Sequence, residues 1–384
     1  MLEGSRGPDD GCDTALDHHP RANLRATSSS PILIVRTVSL RDFRSYERLE
    51  LELRPGLVLV TGANGAGKTN LLESLHVGTQ GFSPRTRADS HLVRLGAEGA
   101  RVALMGARAD RRLELEVVLQ QAGKRAKLNG APLRSAEQLR AEVSTLVFTP
   151  DRLAVVKGGP AARRAYFDRA LARLLPSRAS LPVHYAAAVG QRNAALRRAG
   201  AGFGARDAVT PWTAQVARFG EELIVARTEA IALLSPAFSQ RAGELGLPDA
   251  TLQYVGEPPS VAALEARLER DLERGVTGLG PHLDDVRIDA GTRELRTLGS
   301  QGEQRLAVLS LLLAEAEVLA DRRGVPPLVL LDDVLSELDG GRRRTLAEQI
   351  GAMGQAIVTA TGADGLPLEP AQLIEVTLGR AETR

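Results

Sequence analysis

The chain has 384 residues, a net charge of +2 and 43% hydrophobic residues, enough for one large α/β domain with a second lobe inserted or appended. Aromatics are only 3%, so the core must rest on Leu, Val and Ala. Cys12 is the one cysteine, which excludes an intramolecular disulfide and points to a reducing, cytoplasmic setting. No apolar run reaches the length of a membrane span, although docking on a membrane protein stays open.

Residues 1–30 combine Gly, Pro, Asp, a His-His pair and a Ser-Ser-Ser run without apolar periodicity. The pattern predicts a disordered N-terminal extension, with no apolar stretch of a secretory signal; an upstream start codon would explain it equally well. The ordered chain is expected from Pro31. Ile32 to Val35 reads as a first strand, and Leu49, Leu51 and Leu53 alternate with Glu50 and Glu52 as a half-buried second strand. Leu40 to Tyr46 between them reads as a polar connection with two aromatics.

Leu57 to Val60 predicts a short buried strand, followed by Gly62-Ala63-Asn64-Gly65-Ala66-Gly67-Lys68-Thr69 and a helical pattern from Asn70 to Gly78. This is the phosphate-binding P-loop in its required setting of strand, glycine loop and helix. Glycines let backbone N–H groups close around phosphate oxygens, and the helix N-terminus adds positive potential. Lys68 is expected on the β- and γ-phosphates and the Thr69 hydroxyl on Mg²⁺. A glycine-rich chain can form a chance turn before a helix, but lysine is scarce here, with four against 45 arginines, so a chance Gly-Lys-Thr is improbable.

Pro150 to about Gly275 reads as mainly helical: Ala161 to Leu175, Val216 to Leu234 and an amphipathic stretch from Val261 to Arg274. Breaks fall at Gly158 to Pro160, Gly200 to Pro211 and Gly256 to Pro259. Residues 151–200 hold ten Lys and Arg against Asp151 and Asp168, a local +8. That charge fits attraction of a polyanion, or solvated helix faces in an arginine-biased chain. Three segments follow: 31–149 and 276–384 as two parts of one ATPase lobe, and 150–275 as a helical lobe.

Leu328 to Leu331 followed by Asp332 and Asp333 is a Walker B pattern, with Asp332 expected on Mg²⁺ and Asp333 expected to orient or deprotonate an attacking water. Ser300-Gln301-Gly302-Glu303-Gln304-Arg305 opens a long apolar helix and also has the form of an ordinary capping box. Ser336 to Asp339 and a final buried strand, Ala356 to Thr361, complete the order found in ATPases of the ABC type. In that class the signature serine and glycine meet the γ-phosphate held by a second subunit. The fold class is therefore α/β, an ABC-type P-loop ATPase head with a helical second lobe.

The joint order of further motifs resembles the RecF family, related to SMC-type ATPases, over nearly all of residues 31–384. Supporting residues are Leu40 to Tyr46, Asn70 to Glu73, Thr149 to Asp151, Gly159-Pro160 with Arg163-Arg164 and Phe167-Asp168, Gln191 to Asn193, Gly280 to Asp285, Ser300 to Arg305 and Leu330 to Asp339. The resemblance implies an ATP-dependent homodimer that binds single-strand and duplex DNA, mainly through phosphates. It also implies slow, DNA-stimulated hydrolysis and cooperation with RecO and RecR at gaps in DNA repair, replication and the SOS response. Ser300, Gly302 and Gln304 would reach the partner's ATP, and Arg44 becomes a weaker nucleotide contact. Departures are Asp42 where Asn is frequent, Pro84 before Arg85, and Glu303 where Gln is frequent. The other readings are the ATPase subunit of an ABC transporter, which would lack DNA affinity, and a non-catalytic ATP-binding scaffold.

Overall fold

Strands of β-branched and leucine residues organise this computed structural model, which describes residues 33–384 except 109 and 110. The expectation for residues 1–30, and Ile32 of the first strand, lie outside the described residues. In chain order the strands are β1 (Leu33–Phe43), β2 (Tyr46–Glu52), β3 (Leu57–Thr61), β4 (Gly99–Arg108), β5 (Arg111–Gln120), β6 (Gly123–Leu128), β7 (Ala131–Pro132) and β8 (Thr145–Phe148). They continue as β9 (Ala250–Val255), β10 (Asp285–Ala290), β11 (Arg293–Glu294), β12 (Leu328–Leu331), β13 (Ala356–Ala360), β14 (Gln372–Thr377) and β15 (Arg380–Thr383).

The central sheet runs β15-β14-β3-β13-β12-β8, parallel except at the β15 edge. Strands β3, β13, β12 and β8 are buried on both faces, and their period-two alternation divides the core. Val58, Val60, Val147, Leu328, Leu330 and Ile357 join one hydrophobic cluster, while Leu57, Leu59, Leu146, Phe148, Val329 and Leu331 join the other. The first cluster is closed by the P-loop helix Lys68–Gln80 and by an antiparallel sheet of order β2-β1-β4-β5-β6-β7. The second is closed by helices Pro160–Leu174, Leu181–Gly200, Thr210–Glu244 and Gln301–Arg323. A small sheet, β11-β10-β9, leads back toward the start of the last of these helices. Among the described residues no helix is long and apolar enough to cross a membrane.

Several expectations change. The stretch from Leu40 to Tyr46 is not a polar connection: Leu40 to Phe43 ends β1, Tyr46 opens β2, and only Arg44-Ser45 turns between them. Phe43 and Tyr46 are both fully buried, so packing of two aromatics overrides the polar letters around them. The helix read from Val216 extends over Thr210–Glu244, because Pro211 sits in its first turn, where a missing N–H costs nothing. Val261 to Arg274 is two short helices meeting at Arg267. A strand, β9, lies within the span read as helical, and β13 is not final, since β14 and β15 follow. The helix Leu181–Gly200 falls within the span read as mainly helical without bounds of its own there, and the strands β4 to β6 had no counterpart in the sequence reading.

Candidate nucleotide site

The loop between β3 and the P-loop helix is built on backbone angles that side chains resist. Gly62 and Gly67 have φ of +151° and +116°, and a Cβ on Gly62 would stand 2.3 Å from the Val376 carbonyl oxygen. Ala63, Asn64 and Gly65 form the exposed crest, while Ala66 and Gly67 are buried beneath it. The helix begins with no side-chain cap and no acidic residue in its first turn, so its leading N–H groups are left for a ligand. Lys68 folds back over the loop and donates from Nζ to the carbonyls of Gly62, at 2.7 Å, and Ala63, at 3.0 Å. An uncapped helix start crossed by a lysine ammonium is a fitting cradle for phosphate oxygens.

Asp332 leaves the end of β12 directly opposite. The Thr69 hydroxyl donates to its carboxylate, 3.0 Å from both oxygens, and Thr359 Oγ1 on β13 donates to Oδ1 at 2.9 Å. Asp332 is only 7% exposed. Burial raises its pKa above the usual carboxylate range, opposed by the Thr359 and Thr69 hydroxyls. A buried carboxylate touching the P-loop threonine is the donor set a hard divalent cation needs. Asp333 diverges: it adopts a left-handed φ of +49°, its N–H donates to Thr359 Oγ1 at 2.9 Å, and its side chain is exposed. One threonine thus fixes both acids, the first turned inward and the second outward.

The β1–β2 turn clasps the P-loop helix. Arg44 donates from Nε and Nη2 to the two carboxylate oxygens of buried Glu73, both at 2.8 Å. Tyr46 OH donates to the Gly67 carbonyl at 3.1 Å, and Asn70 Nδ2 to Ser45 Oγ at 3.0 Å. Ser83 Oγ also donates to Glu73, at 2.5 Å, and accepts from the N–H groups of Arg85 and Thr86. This turn around Pro84 brings the loop after the helix back along it, leaving Arg85 3.3 Å from Glu73.

At the start of helix Gln301–Arg323, Ser300 and Glu303 form a complete capping box. Glu303 also accepts from Arg293 Nη2 at 2.8 Å; this contact and the Ser300 N–H hold its carboxyl down to about 2. Its negative charge is therefore matched within the chain. Ser300 and Gly302 are exposed, and a Cβ added to Gly302 would meet nothing nearer than Ser300 Oγ at 3.9 Å. Gln304 is buried, its amide donating to the Leu295 carbonyl at 2.9 Å.

The profile of the RecF/RecN/SMC N-terminal domain family matches residues 34–382. The DNA replication and repair protein RecF of Desulfitobacterium hafniense is 34% identical over 358 residues, spanning 90% of this chain and 98% of that protein. This chain belongs to the RecF family. A structure of the recombination mediator protein RecF with ATP in the RecFOR pathway superposes with a TM-score of 0.84 at 26% identity, covering 93% of this chain and 99% of that one. The Smc head domain of Pyrococcus furiosus, bound to the C-terminal domain of ScpA, shares the fold at a TM-score of 0.57 and 17% identity, over 92% and 96% of the two chains.

For this RecF-family chain, the fold brings Lys68, Thr69, Asp332 and Asp333 to one place across 263 residues of sequence between Thr69 and Asp332. Arg44 stands beside them with its Nε and Nη2 engaged by Glu73, clasping the P-loop helix. Gln304 seats its helix on the preceding turn. Thr359 was not singled out from sequence; the polar end of an otherwise apolar strand was the available signal.

Proposed function

We propose that this chain is an ATP-dependent, DNA-binding protein of recombinational repair that closes as a homodimer around two nucleotides. It would act at single-strand/duplex junctions and assist recombinase loading with RecO- and RecR-type partners. The observation that carries the reading is the meeting of Thr69 and Asp332, a phosphate loop joined to a buried carboxylate. A RecF relative has been seen with ATP, which supports the same nucleotide here. Lys68 and the helix N–H groups hold the phosphates, and Thr69 and Asp332 hold Mg²⁺. The cation, when bound, neutralises charge on the phosphate oxygens. Asp333, turned to solvent, orients the attacking water. The chain is taken as an ATPase lobe of residues 31–149 and 276–384 with a helical lobe of residues 150–275.

Gly302 supports dimer closure. Among the described residues nothing crowds a side chain there, and glycine in a helix interior is unfavourable by up to about 1 kcal/mol relative to alanine. Ser300 already caps its helix, but the exposed glycine beside it fits close approach by a second subunit's nucleotide. Light-scattering mass with and without ATP and Mg²⁺ tests this. A monomer-to-dimer shift that Ser300→Arg abolishes is expected; no shift at saturating ATP would remove the closure mechanism.

A further inference from the structure

The loop that returns along the P-loop helix makes one wall of a second concavity. Phe82 to Arg87 form that wall, and Thr149, Asp151 and Arg152 after β8, with Arg169 of helix Pro160–Leu174, form the other; the cleft holds about 380 Å³. None of residues 62–69 lines it. Four arginines converge there, Arg85, Arg87, Arg152 and Arg169, against a single acid, Asp151. The Arg85 guanidinium has only long contacts, 3.3 Å to Glu73 and 3.4 Å to Asn70. The side chains of Arg87, Arg152 and Arg169 form no hydrogen bond or ion pair among the described residues, and Asp151 pairs with none of them.

The contrast with neighbouring arginines is sharp. Arg163, Arg173 and Arg192 each close on a carboxylate inside the fold. Arg152 is half-buried and has no such partner. Burial lowers its pKa, and burial followed by repulsion from Arg152 and Arg173 brings Arg169 down to about 10, although its side chain reaches solvent; Tyr166 and the Glu315 carboxylate, which Arg173 already engages, oppose both shifts without reversing them. Like charges gathered in a partly desolvated cleft are unfavourable unless an anion completes them. Guanidinium forks suit the oxygens of a phosphate, bidentately.

We propose that this cleft binds a phosphate group outside the P-loop, supplied by a nucleic-acid backbone or by free polyphosphate. Arg152 and Arg169 are its central contacts, with Arg85 and Arg87 at the mouth. The site stands whether or not the chain dimerises with ATP.

Thermal unfolding of the full chain in a Lys68→Ala background, with sodium tripolyphosphate as probe, separates this cleft from the P-loop. A rise in Tm is expected, because a ligand that binds only the folded state stabilises it. Adding Arg152→Gln and Arg169→Gln should abolish the rise. A rise absent from Lys68→Ala, or one that survives the arginine substitutions, overturns the proposal. The unsubstituted chain gives a reading that needs no variant: tripolyphosphate should protect Arg152 and Arg169 from phenylglyoxal, read by peptide mass. Modification at the same rate with and without the probe overturns it. A thymidine oligonucleotide identifies the source. Protection by oligonucleotide as well assigns the backbone, and protection by tripolyphosphate alone assigns a free polyphosphate.

Discussion

At the scale of the residue, Gly302 and Glu303 separate what the chain needs for folding from what the proposed closure would need. Gly302→Ala should leave the monomer as stable as before or raise its stability by up to about 1 kcal/mol, since the new methyl meets only Ser300 Oγ at 3.9 Å. The same substitution should weaken ATP-driven dimerisation, measured by sedimentation; a Tm and a dimer affinity that fall together would mean the glycine serves the fold. Glu303 has a depressed carboxyl pKa of about 2, owed first to Arg293 and then to the Ser300 N–H. Because the folded value lies below the unfolded one, this stabilisation is present above the ordinary carboxylate pKa and is lost as pH falls toward 2. Glu303→Gln should therefore lower Tm at neutral pH, where the charged Arg293 contact is lost although the glutamine still completes a capping box, and the difference from the unsubstituted chain should close as pH falls toward 2.

Among the elements, the helices of the second cluster are tied to β10 and its preceding loop by arginine forks. Arg163 closes on Asp285 with two bonds of 2.7 Å, and Arg227 bridges Asp168 and the Pro281 carbonyl. Arg192, fully buried, donates to Asp271 at 2.7 Å and to Thr213 and Thr277 at 3.0 Å, while Asn193 accepts from Thr277. The motifs around residues 163–168, 191–193 and 280–285 thus act together as polar clasps, in a part of the chain that holds no P-loop or Walker B chemistry. Arg192→Met should destabilise the chain by about 3–5 kcal/mol, because Asp271 is left charged and buried. Adding Asp271→Leu should recover much of that loss in a denaturant titration. A single substitution without effect would show that water reaches Asp271.

Over the whole molecule, the local +8 of residues 151–200 is less available than its count implies. Four of its ten cations, Arg163, Arg173, Arg178 and Arg192, are ion-paired within the fold. Arg164 and Arg197 donate to the carbonyls of Asp284 and Gly275. DNA affinity should therefore depend on fewer contacts than ten. For single-stranded DNA each phosphate contact lowers the slope of log affinity against log salt by about 0.7. Anisotropy across a salt series should give a slope well short of ten contacts, shallower still in the Arg152→Gln, Arg169→Gln variant. Salt-independent binding would contradict phosphate recognition altogether.

The sequence by itself determined the chemistry that is local. Glycines forced by positive φ, a lysine and threonine at a helix start, and an apolar strand ending in two acids are each contained within a few residues, so their spacing carries them. Family membership was equally legible, because it rests on the order of such motifs. The tertiary structure alone decided which charges face one another. Thr359 reaches Asp332, Glu73 takes the Arg44 fork, and Arg152 has no ion-pair partner among the described residues while Arg192 is satisfied, although all three arginines look alike in sequence. The reason is physical. Backbone propensity and glycine geometry act over one turn, whereas the pairing of a buried charge depends on burial and on partners tens to hundreds of residues away.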